Sequence, residues 1–305
     1  MKLIVQPDAG IDAILTAIKQ AKKTIDIVIF RLDLQDVTRG LEAAAARGVL
    51  VRALIAHTNR GGEKSLRKLE MRLLEKGITV SRTADDLVRY HGKMMIVDRR
   101  TLHIYGFNFT GLDVGRSRSF GATTRNHKLV REAIALFEAD CARVPYAPGC
   151  ERFVVSPDNA RDRLTAFIKA ARRQLLIYDP QVGDPGILRL LTERAKAGVD
   201  VRIIGKIVSK KSALVAEKYP GKRLHVRAMI RDGRRAFLGS QSLRKVELER
   251  RREIGVIVAD AKVVNQMYAV FEADWAETDS GRAAAKAANK GLEHADGDSE
   301  SAAAS

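Results

Sequence analysis

The sequence holds 305 residues, 46% hydrophobic and 30% charged, which suits one large globular domain or two of ordinary size. Its net charge of +17 favours anionic partners such as nucleic acid, anionic lipid surfaces or small phosphates. No apolar run approaches the roughly 18 residues of a membrane-spanning helix, and the first residues lack the apolar stretch of a secretory signal. The two cysteines make no metal or disulfide framework. We therefore expect a cytoplasmic protein.

The chain begins with a pattern that it later repeats. An amphipathic helix over 9–22 leads into an apolar strand over 24–30, and the same succession follows at 159–172 and 174–178. A further helix and apolar strand come next in both places, so the second copy follows the first at an offset of 150. The recurring residues are Asp12, Ile18, Lys19 and Ala21 in the first copy and Asp162, Ile168, Lys169 and Ala171 in the second.

The first copy is longer by about sixteen residues, because the offset between the copies then falls to 134. This extra length is predicted to be a basic helix over 63–76 and a short strand over 78–81. Alternating strands and helices predict the α/β class, with two tandem units that each have a mainly parallel mixed sheet flanked by helices. Two copies of one unit usually pack about a pseudo-twofold axis, and with both in one chain we expect a monomer.

Composition divides the chain into a first half over 1–145, a linker over 146–158, a second half over 159–278 and a tail over 279–305. The stretch 144–158, around the linker, holds three of the seven prolines. The tail consists mostly of Ala, Lys, Gly, Asp and Ser without hydrophobic periodicity, which is typical of a disordered segment.

A short apolar segment, His-Gly-Lys-Met-Met-Ile-Val-Asp, is predicted to be a strand on which His91 and Lys93 share a face. A two-residue turn at 99–100 would place His91 opposite Asn108, and Lys93 opposite Gly106 with open space above it. An imidazole, an ammonium and an amide then converge on a spot with room for a small anion, which predicts a phosphate site containing a nucleophile. The alternative is a surface His and Lys on a strand that packs through its methionines.

The second half carries the same constellation, which favours the phosphate site over that alternative. The Gly-Phe-Asn at 106–108 is matched with the Gly-Ser-Gln at 239–241, which requires one residue fewer in the second turn. The other matched pairs are His91 with His225, Lys93 with Arg227, Asp98 with Asp232, and Gly121 with Gly255.

The pattern His-x-Lys-x4-Asp, followed by Gly-x-Asn on the next strand, resembles the phospholipase D superfamily of phosphodiesterases over nearly all of residues 1–276. The resemblance implies that the two motifs meet at one site, where a covalent phosphohistidine forms with neither a cofactor nor a metal ion. It further implies that His91 is the nucleophile and that His225 acts as the acid and base.

Fixed positive charge and hydrogen-bond donors must hold the phosphoryl oxygens. We expect Lys93, Arg227 and Asn108 to do so, joined by Ser240 or Gln241. Arg227 stands where the family has lysine, and Gln241 where it has asparagine. Because arginine is planar and bulkier than lysine, turnover or specificity could differ from the family's.

The resemblance also bears on three carboxylates. Asp98 and Asp232 complete the motifs and belong to the predicted catalytic set, although a purely structural role at the strand ends is equally open. Glu253 follows His225 at the spacing of a family glutamate that orients a histidine ring, and its first-half equivalent is Ser119. A basic cluster near Glu253 either borders the site or is a solvated loop; it comprises Arg244, Lys245, Arg250, Arg251 and Arg252.

The leading hypothesis is a phosphodiesterase that cleaves or exchanges the headgroup of a phospholipid, with peripheral contact to a membrane. A nuclease is the first alternative, because the same chemistry cuts nucleic-acid backbones and the folded part of the chain is basic. Against it, aromatic residues make up 5% of the chain and do not interleave with basic residues as stacking platforms do. The second alternative is a non-catalytic phosphate-binding protein in which Arg227 marks lost turnover.

Overall fold

The first half forms a mixed sheet covered by helices. In the computed structural model, which describes residues 1–58, 63–209 and 214–288, the sheet order is β1-β8-β7-β6-β2-β3-β4. The strands of this half are β1 (Lys2–Gln6), β2 (Thr24–Ile29), β3 (Leu50–Ile55), β4 (Thr79–Arg82), β5 (Arg89–Tyr90), β6 (Met94–Val97), β7 (Thr101–Tyr105) and β8 (Ser119–Thr124). Its helices are α1 (Asp12–Gln20), α2 (Gln35–Ala46), α3 (Glu63–Glu75), α4 (Gly111–Arg116) and α5 (His127–Ala142).

Among the described residues, the second half repeats this arrangement without a helix equivalent to α3 or a strand equivalent to β4. Its strands are β9 (Phe153–Ser156), β10 (Gln174–Val182), β11 (Asp200–Ile207), β12 (Ala228–Arg231), β13 (Arg235–Gly239) and β14 (Arg251–Val258), and its helices are α6 (Ala160–Lys169), α7 (Pro185–Lys196), α8 (Lys245–Glu249) and α9 (Ala261–Ala276). The sheet order is β11-β10-β12-β13-β14-β5, with β9 paired to β14. The predicted extra helix and strand of the first half are thus confirmed as α3 and β4.

The two mixed sheets confirm the predicted α/β class, but the prediction that they are mainly parallel is wrong. In the first half, β2, β3 and β4 run parallel, whereas the pairs linking β1, β8, β7, β6 and β2 are antiparallel. In the second half, β10 and β11 run parallel, whereas β10, β12, β13 and β14 pair antiparallel. The reason is local: each motif strand returns through a tight turn, and such a turn joins antiparallel neighbours.

Helices α5 and α9 help to build a core that belongs to both halves. Each is started by an equivalent capping side chain: Asn126 accepts the N–H of Leu129, and Asp260 accepts the N–H of Val263. Their buried aromatic residues join one hydrophobic cluster with residues from the strands of both sheets. The halves are therefore packed as one body. Members of this cluster include Phe137, Phe271, Ile96, Ile104, Ile230 and Leu238.

Each half also sends a segment across to the other half's sheet. Strand β5 of the first half pairs with the start of β14, where Arg89 lies beside Arg251. In the equivalent place, Leu224 of the second half forms a bridge with Arg118, just before β8. These two crossings are related by the sequence repeat, and each one ends at a motif histidine.

The helical part of the chain extends further than predicted. Residues 279–288 are helical, whereas the composition predicts a disordered tail over the whole of 279–305. The hydroxyl of Thr278 starts this segment by accepting the N–H of Gly281. The remainder of the predicted tail, 289–305, lies outside the described residues.

Candidate active site

The first motif histidine is placed by the second half. The backbone N–H groups of His91 and Gly92 both donate to the carbonyl of Arg252, at 2.7 and 3.0 Å. Gly92 is needed there, since a Cβ atom at this position would lie 2.5 Å from the side chain of Ile254. The backbone of His91 is thus fixed against β14 independently of the contacts that its side chain makes.

The turn after the first motif differs from the prediction by one residue. Val97 pairs with Thr101, so the turn has three residues, and the N–H of Tyr105, not Gly106, faces the carbonyl of Lys93. Asp98 and the next residue adopt left-handed backbone conformations, with φ of 52° and 50°. Asp98 leaves the strand ladder because its carboxylate is held from outside the hairpin.

The contacts of Asp98 favour a structural role over the predicted catalytic one. Its carboxylate accepts the backbone N–H groups of Lys22, Lys23 and Thr24 at 2.6–3.1 Å, at the end of the strand away from His91. Burial raises the pKa of Asp98, but these N–H groups lower it more, so the net shift is downward.

Asp232 makes the equivalent contacts in the second half, and they favour a structural role there as well. Its carboxylate accepts the N–H groups of Arg172, Arg173 and Gln174 at 2.7–3.2 Å. Its pKa is also shifted downward, since those bonds outweigh the opposing effect of burial. Both motif aspartates tie a hairpin turn to the start of a neighbouring strand.

The predicted open space above Gly106 is filled. A Cβ atom on Gly106 would lie 2.9 Å from the carbonyl oxygen of Phe120 and 3.0 Å from that of Gly239. Glycine is therefore required because the two halves approach each other closely here. Room for an anion must lie elsewhere, toward the histidine side chains.

The second motif also shifts by one residue from the predicted alignment. Gly239 pairs with Gly255 just as Tyr105 pairs with Gly121, so the turn after Asp232 has the same length as its counterpart. Asn108 therefore corresponds to Ser242, which the sequence analysis missed. The offset stays at 134 from the histidines through the paired glycines, and this constancy was the signal that could have identified Ser242.

Gln241 is consequently not placed where a phosphate-binding residue would be. Its side-chain Nε2 donates to the carbonyl of Val154 at 3.0 Å, and its Oε1 packs against Gly239 and Gly255. Ser240 is buried beside Glu253, and its hydroxyl accepts the N–H of Ile254. The described contacts of both side chains are thus made to the second sheet.

His91 lies between a carboxylate and an ammonium. Its Nδ1 is 2.8 Å from Glu253 Oε2, as predicted for a ring-orienting glutamate, although Glu253 holds the histidine of the opposite half. Lys93 Nζ lies 2.9 Å from Nε2 of the same ring, and the ring edge of Phe30 packs at 4.6 Å between centroids. Burial, then Lys93 and Arg227, hold the pKa of His91 well below its ordinary value, so the imidazole is neutral near pH 7.

His225 is placed by the first half in the same way. Its backbone N–H donates to the carbonyl of Arg118 at 3.0 Å, which is the repeat-related partner of the bond that holds His91. Its Nδ1 lies 3.5 Å from Asp113 Oδ2, which is an ion-pair distance without a hydrogen bond. Asp113 belongs to α4 and was not among the predicted site residues. Burial and Arg227 lower the pKa of His225, while Asp113 raises it.

Asn108 faces Asp113 as well. Its backbone N–H and its side-chain Nδ2 donate to Asp113 Oδ2 at 2.8 and 2.6 Å. The side-chain Nδ2 of Asn108, which we predicted to donate to phosphate, is thus already engaged in one hydrogen bond to this carboxylate. Its second contribution is to fix the carboxylate beside His225.

The two motif cations differ in how they are held. Lys93 is fully buried, and burial and Arg227 lower its pKa to about 7 although Glu253 raises it. Arg227 donates through Nη1 to the carbonyl of His225 at 2.8 Å and through Nε to Ser242 at 3.1 Å. The charge of Arg227 lowers the pKa of His91, and the charge of Lys93 lowers the pKa of His225. The two motifs therefore share one electrostatic environment.

Most of the basic cluster after the second motif is engaged in ion pairs. Arg244 and Arg251 both pair with Glu247 of α8, and Arg252 pairs with Asp140 and Asp158. Lys245 and Arg250 are exposed. The cluster therefore braces β14, from which Glu253 reaches His91.

Two features are absent from the parts of the chain that the structure describes. No group of three or more His, Cys, Asp or Glu side chains is arranged to hold a metal ion in these parts of the chain. No described helix is both long and apolar enough to cross a membrane.

One known protein family matches each half of the chain separately. The family described as "Cardiolipin synthase, PLD-like domain" matches residues 14–141 and again residues 164–275. No curated protein shows a significant sequence match.

Solved structures share the fold at low sequence identity. Polyphosphate kinase from Porphyromonas gingivalis superposes with a TM-score of 0.74 at 19% identity over 89% of this chain and 49% of its own, so the chain spans about half the length of that enzyme. Phosphatidylserine synthase from Haemophilus influenzae Rd KW20 gives a TM-score of 0.66 at 10% identity, covering 88% of this chain and 84% of its own. Nuc, a phospholipase D family member from Salmonella typhimurium, covers 48% of this chain and 97% of its own at 21% identity, with a TM-score of 0.43.

Proposed function

The chain belongs to the phospholipase D superfamily, and from this premise we propose that it is a metal-independent phosphodiesterase that cleaves or exchanges the headgroup of a phospholipid. One observation carries the proposal: each motif histidine is flanked by a carboxylate from the opposite half, Glu253 for His91 and Asp113 for His225. Two imidazoles, one ammonium and one guanidinium are thereby built into one buried environment at the junction of the halves.

His91 is suited to the nucleophilic role. With its Nδ1–H donated to Glu253, its Nε2 carries the lone pair, and its lowered pKa keeps that lone pair free of a proton. Lys93 Nζ lies 3.0 Å from Nδ1 and 2.9 Å from Nε2 of the ring, and it would turn to the incoming phosphoryl oxygens. Attack then forms the Nε2–P bond and breaks the bond from phosphorus to the headgroup oxygen.

His225 is suited to the proton transfers. A protonated His225 donates its proton to the departing headgroup oxygen, and the neutral ring then accepts a proton from the attacking water or alcohol. That attack breaks the N–P bond and regenerates His91. An anionic phosphate bound nearby favours the protonated ring, which offsets the lowering of the His225 pKa by burial.

The charges of Lys93 and Arg227 stabilise the additional negative charge on the phosphoryl oxygens in the transition state. Arg227 is pre-oriented by two hydrogen bonds to the protein, so it needs little reorganisation. The guanidinium in place of the family's lysine therefore need not mean lost turnover, since its charge is held at the same site.

A phospholipid is favoured as substrate by the family match and by exposed aliphatic side chains close to the site. Leu112 precedes Asp113 on α4 and is 50% exposed, and Val88 lies just before β5 and is 48% exposed. Aliphatic side chains beside a basic site suit a lipid–water interface. A nuclease is the second candidate, and the net charge of +17 is the observation that favours it.

One experiment separates these functions. The protein is incubated in EDTA with phospholipid vesicles, single-stranded DNA and a chromogenic phosphodiester. We expect turnover of vesicle lipid and of the chromogenic diester, with little of DNA. Preferred cleavage of DNA would replace the lipid proposal by the nuclease. Activity lost in EDTA and restored by zinc or magnesium would exclude the phosphohistidine scheme.

Trapping of the intermediate assigns the two histidines. Quenched turnover should leave an acid-labile adduct on His91, and His91→Ala should abolish both the adduct and turnover. His225→Ala should still form the adduct from a substrate with a good leaving group, because such a group needs no proton, but should release it slowly. An adduct on His225 would reverse the two roles. Absence of any adduct and of any turnover would favour the non-catalytic phosphate-binding protein.

A further inference from the structure

The carboxylates that flank the two histidines come from positions that are not equivalent in the repeat. Glu253 lies on β14, and its equivalent on β8 is Ser119, whose buried hydroxyl has no hydrogen-bond partner among the described residues. Asp113 lies on α4 instead, and its equivalent on α8 is Glu247. The first half therefore lacks a carboxylate at the strand position equivalent to Glu253, which is the position that would serve His225.

We propose that Asp113 is the positioning residue of His225 and replaces the carboxylate missing at Ser119. The inference rests on the proposed function only for the acid and base role of His225, because the pairing itself is a property of the folded chain. Arg223, from the segment that crosses between the halves, completes the arrangement.

Asp113 is held from three sides. Thr110 starts α4 by accepting the N–H of Asp113 at 3.2 Å. Asn108 donates twice to Oδ2, and Arg223 Nη1 pairs with Oδ1 while also donating to Ser117 Oγ at 2.7 Å. The side chain is almost fully buried, so its orientation toward His225 is fixed by the fold.

The same contacts keep Asp113 ionised. Burial alone would raise the pKa of the carboxyl, but His225, the Asn108 N–H and Arg223 lower it to about 2. A buried carboxylate 3.5 Å from Nδ1 favours the ring form that carries a proton on Nδ1 and stabilises the imidazolium. The transferable proton is thereby placed on Nε2, the nitrogen that can serve the leaving group.

Glu247 shows that the helix position does not hold a histidine by default. Its carboxylate pairs with Arg244 and Arg251, and no described contact joins it to either motif histidine. The strand supplies the carboxylate for one ring and the helix supplies it for the other. Glu247 is therefore a matched control for Asp113.

The direct test is a titration of His225 by NMR, with imidazole-labelled full-length protein and His225→Gln to assign the signal. Asp113→Asn should lower the titration midpoint of His225 by about one pH unit, and Glu247→Gln should leave that midpoint in place. An unchanged midpoint in Asp113→Asn would overturn the inference, whatever the activity of the protein. If Asp113→Asn does not fold, Asp113→Ser, which also removes the carboxylate charge, should lower the midpoint of His225 in the same way, and no change there would equally overturn the inference.

Kinetics give a second readout that a merely structural role would not move. Asp113→Asn should slow cleavage of a diester with an alkyl leaving group about 10-fold or more, and slow cleavage of a nitrophenyl diester much less. Adding Ser119→Asp should restore part of the loss with the alkyl substrate. Equal losses with both substrates would mean that Asp113 only supports the fold. No turnover by wild type would remove the proposed function and leave the NMR test standing.

Discussion

Substitution of Asp98 separates a structural role from a catalytic one. In the native structure its carboxylate accepts three backbone N–H groups, and the residue itself has φ of 52°. Asp98→Ala removes the acceptor and places alanine in a left-handed conformation. We therefore expect stability to fall while turnover of a folded sample stays within about twofold.

The magnitude follows from those contacts. Each lost hydrogen bond contributes about 0.5–1 kcal/mol, which is below the usual range for a charged acceptor, because the carboxylate is partly exposed and water can replace it. The left-handed alanine adds about 1 kcal/mol. Asp98→Ala should thus lower the free energy of unfolding by about 2.5–4 kcal/mol. Asp98→Asn, which keeps an acceptor and tolerates that conformation, should lose about half as much.

Urea unfolding at 25 °C measures this difference, since urea does not screen charge as guanidinium does. The folded-state pKa of Asp98 is depressed, so its ionic contribution is present above pH 3.8 and is lost as the pH falls through the folded value. The stability gap between wild type and Asp98→Asn should therefore narrow below about pH 4. A folded Asp98→Ala protein with full stability, or with turnover reduced more than tenfold, would refute the structural role. Asp232→Ala should behave in the same way.

Four further changes test the site itself. Glu253→Gln should lower kcat about 10–150-fold, equivalent to about 1.5–3 kcal/mol for a charge-assisted hydrogen bond; unchanged kcat in steady-state assays would exclude a role of Glu253 in orienting His91. Because the pKa of Lys93 is about 7, sulfate affinity by calorimetry should weaken as the pH rises through 7, and Lys93→Arg should remove that dependence. Arg227→Lys cannot reproduce both hydrogen bonds of the guanidinium, so kcat/KM should fall by the equivalent of about 1–3 kcal/mol; full activity would mean that only the charge matters. Gly106→Ala should lower the urea midpoint by the equivalent of about 1–3 kcal/mol through overpacking, and an unchanged midpoint would show that the junction can relax.

The sequence predicted those features that are encoded in linear spacing. The duplication, the shared face of His91 and Lys93, and the position of Glu253 relative to His225 all follow from periodicity or from family resemblance. The contacts of Lys93 and Glu253 with His91 agree with them.

What the sequence did not predict depends on contacts between distant segments. The three-residue turn exists because Asp98 reaches the backbone N–H groups of Lys23 and Thr24, which lie far earlier in the chain, and no local rule for hairpins contains that contact. Asp113 approaches His225 only once the two halves pack, so its role is invisible in the first-half sequence. Ser242 differs, since an uninterrupted offset would have aligned it with Asn108.

The exchange of partners between the halves also bears on how such a chain can specialise. In an assembly of two identical copies, any residue at one histidine stands at the other as well. A fused duplication removes that constraint: Lys93 can face Arg227, and Ser119 can stand where the other copy has Glu253. Nucleophile and acid place opposite demands on an imidazole, and within one polypeptide each can be met by its own neighbours. In a fused chain, the residues at the junction between the halves can therefore differ between the two histidines, and each histidine can keep its own role.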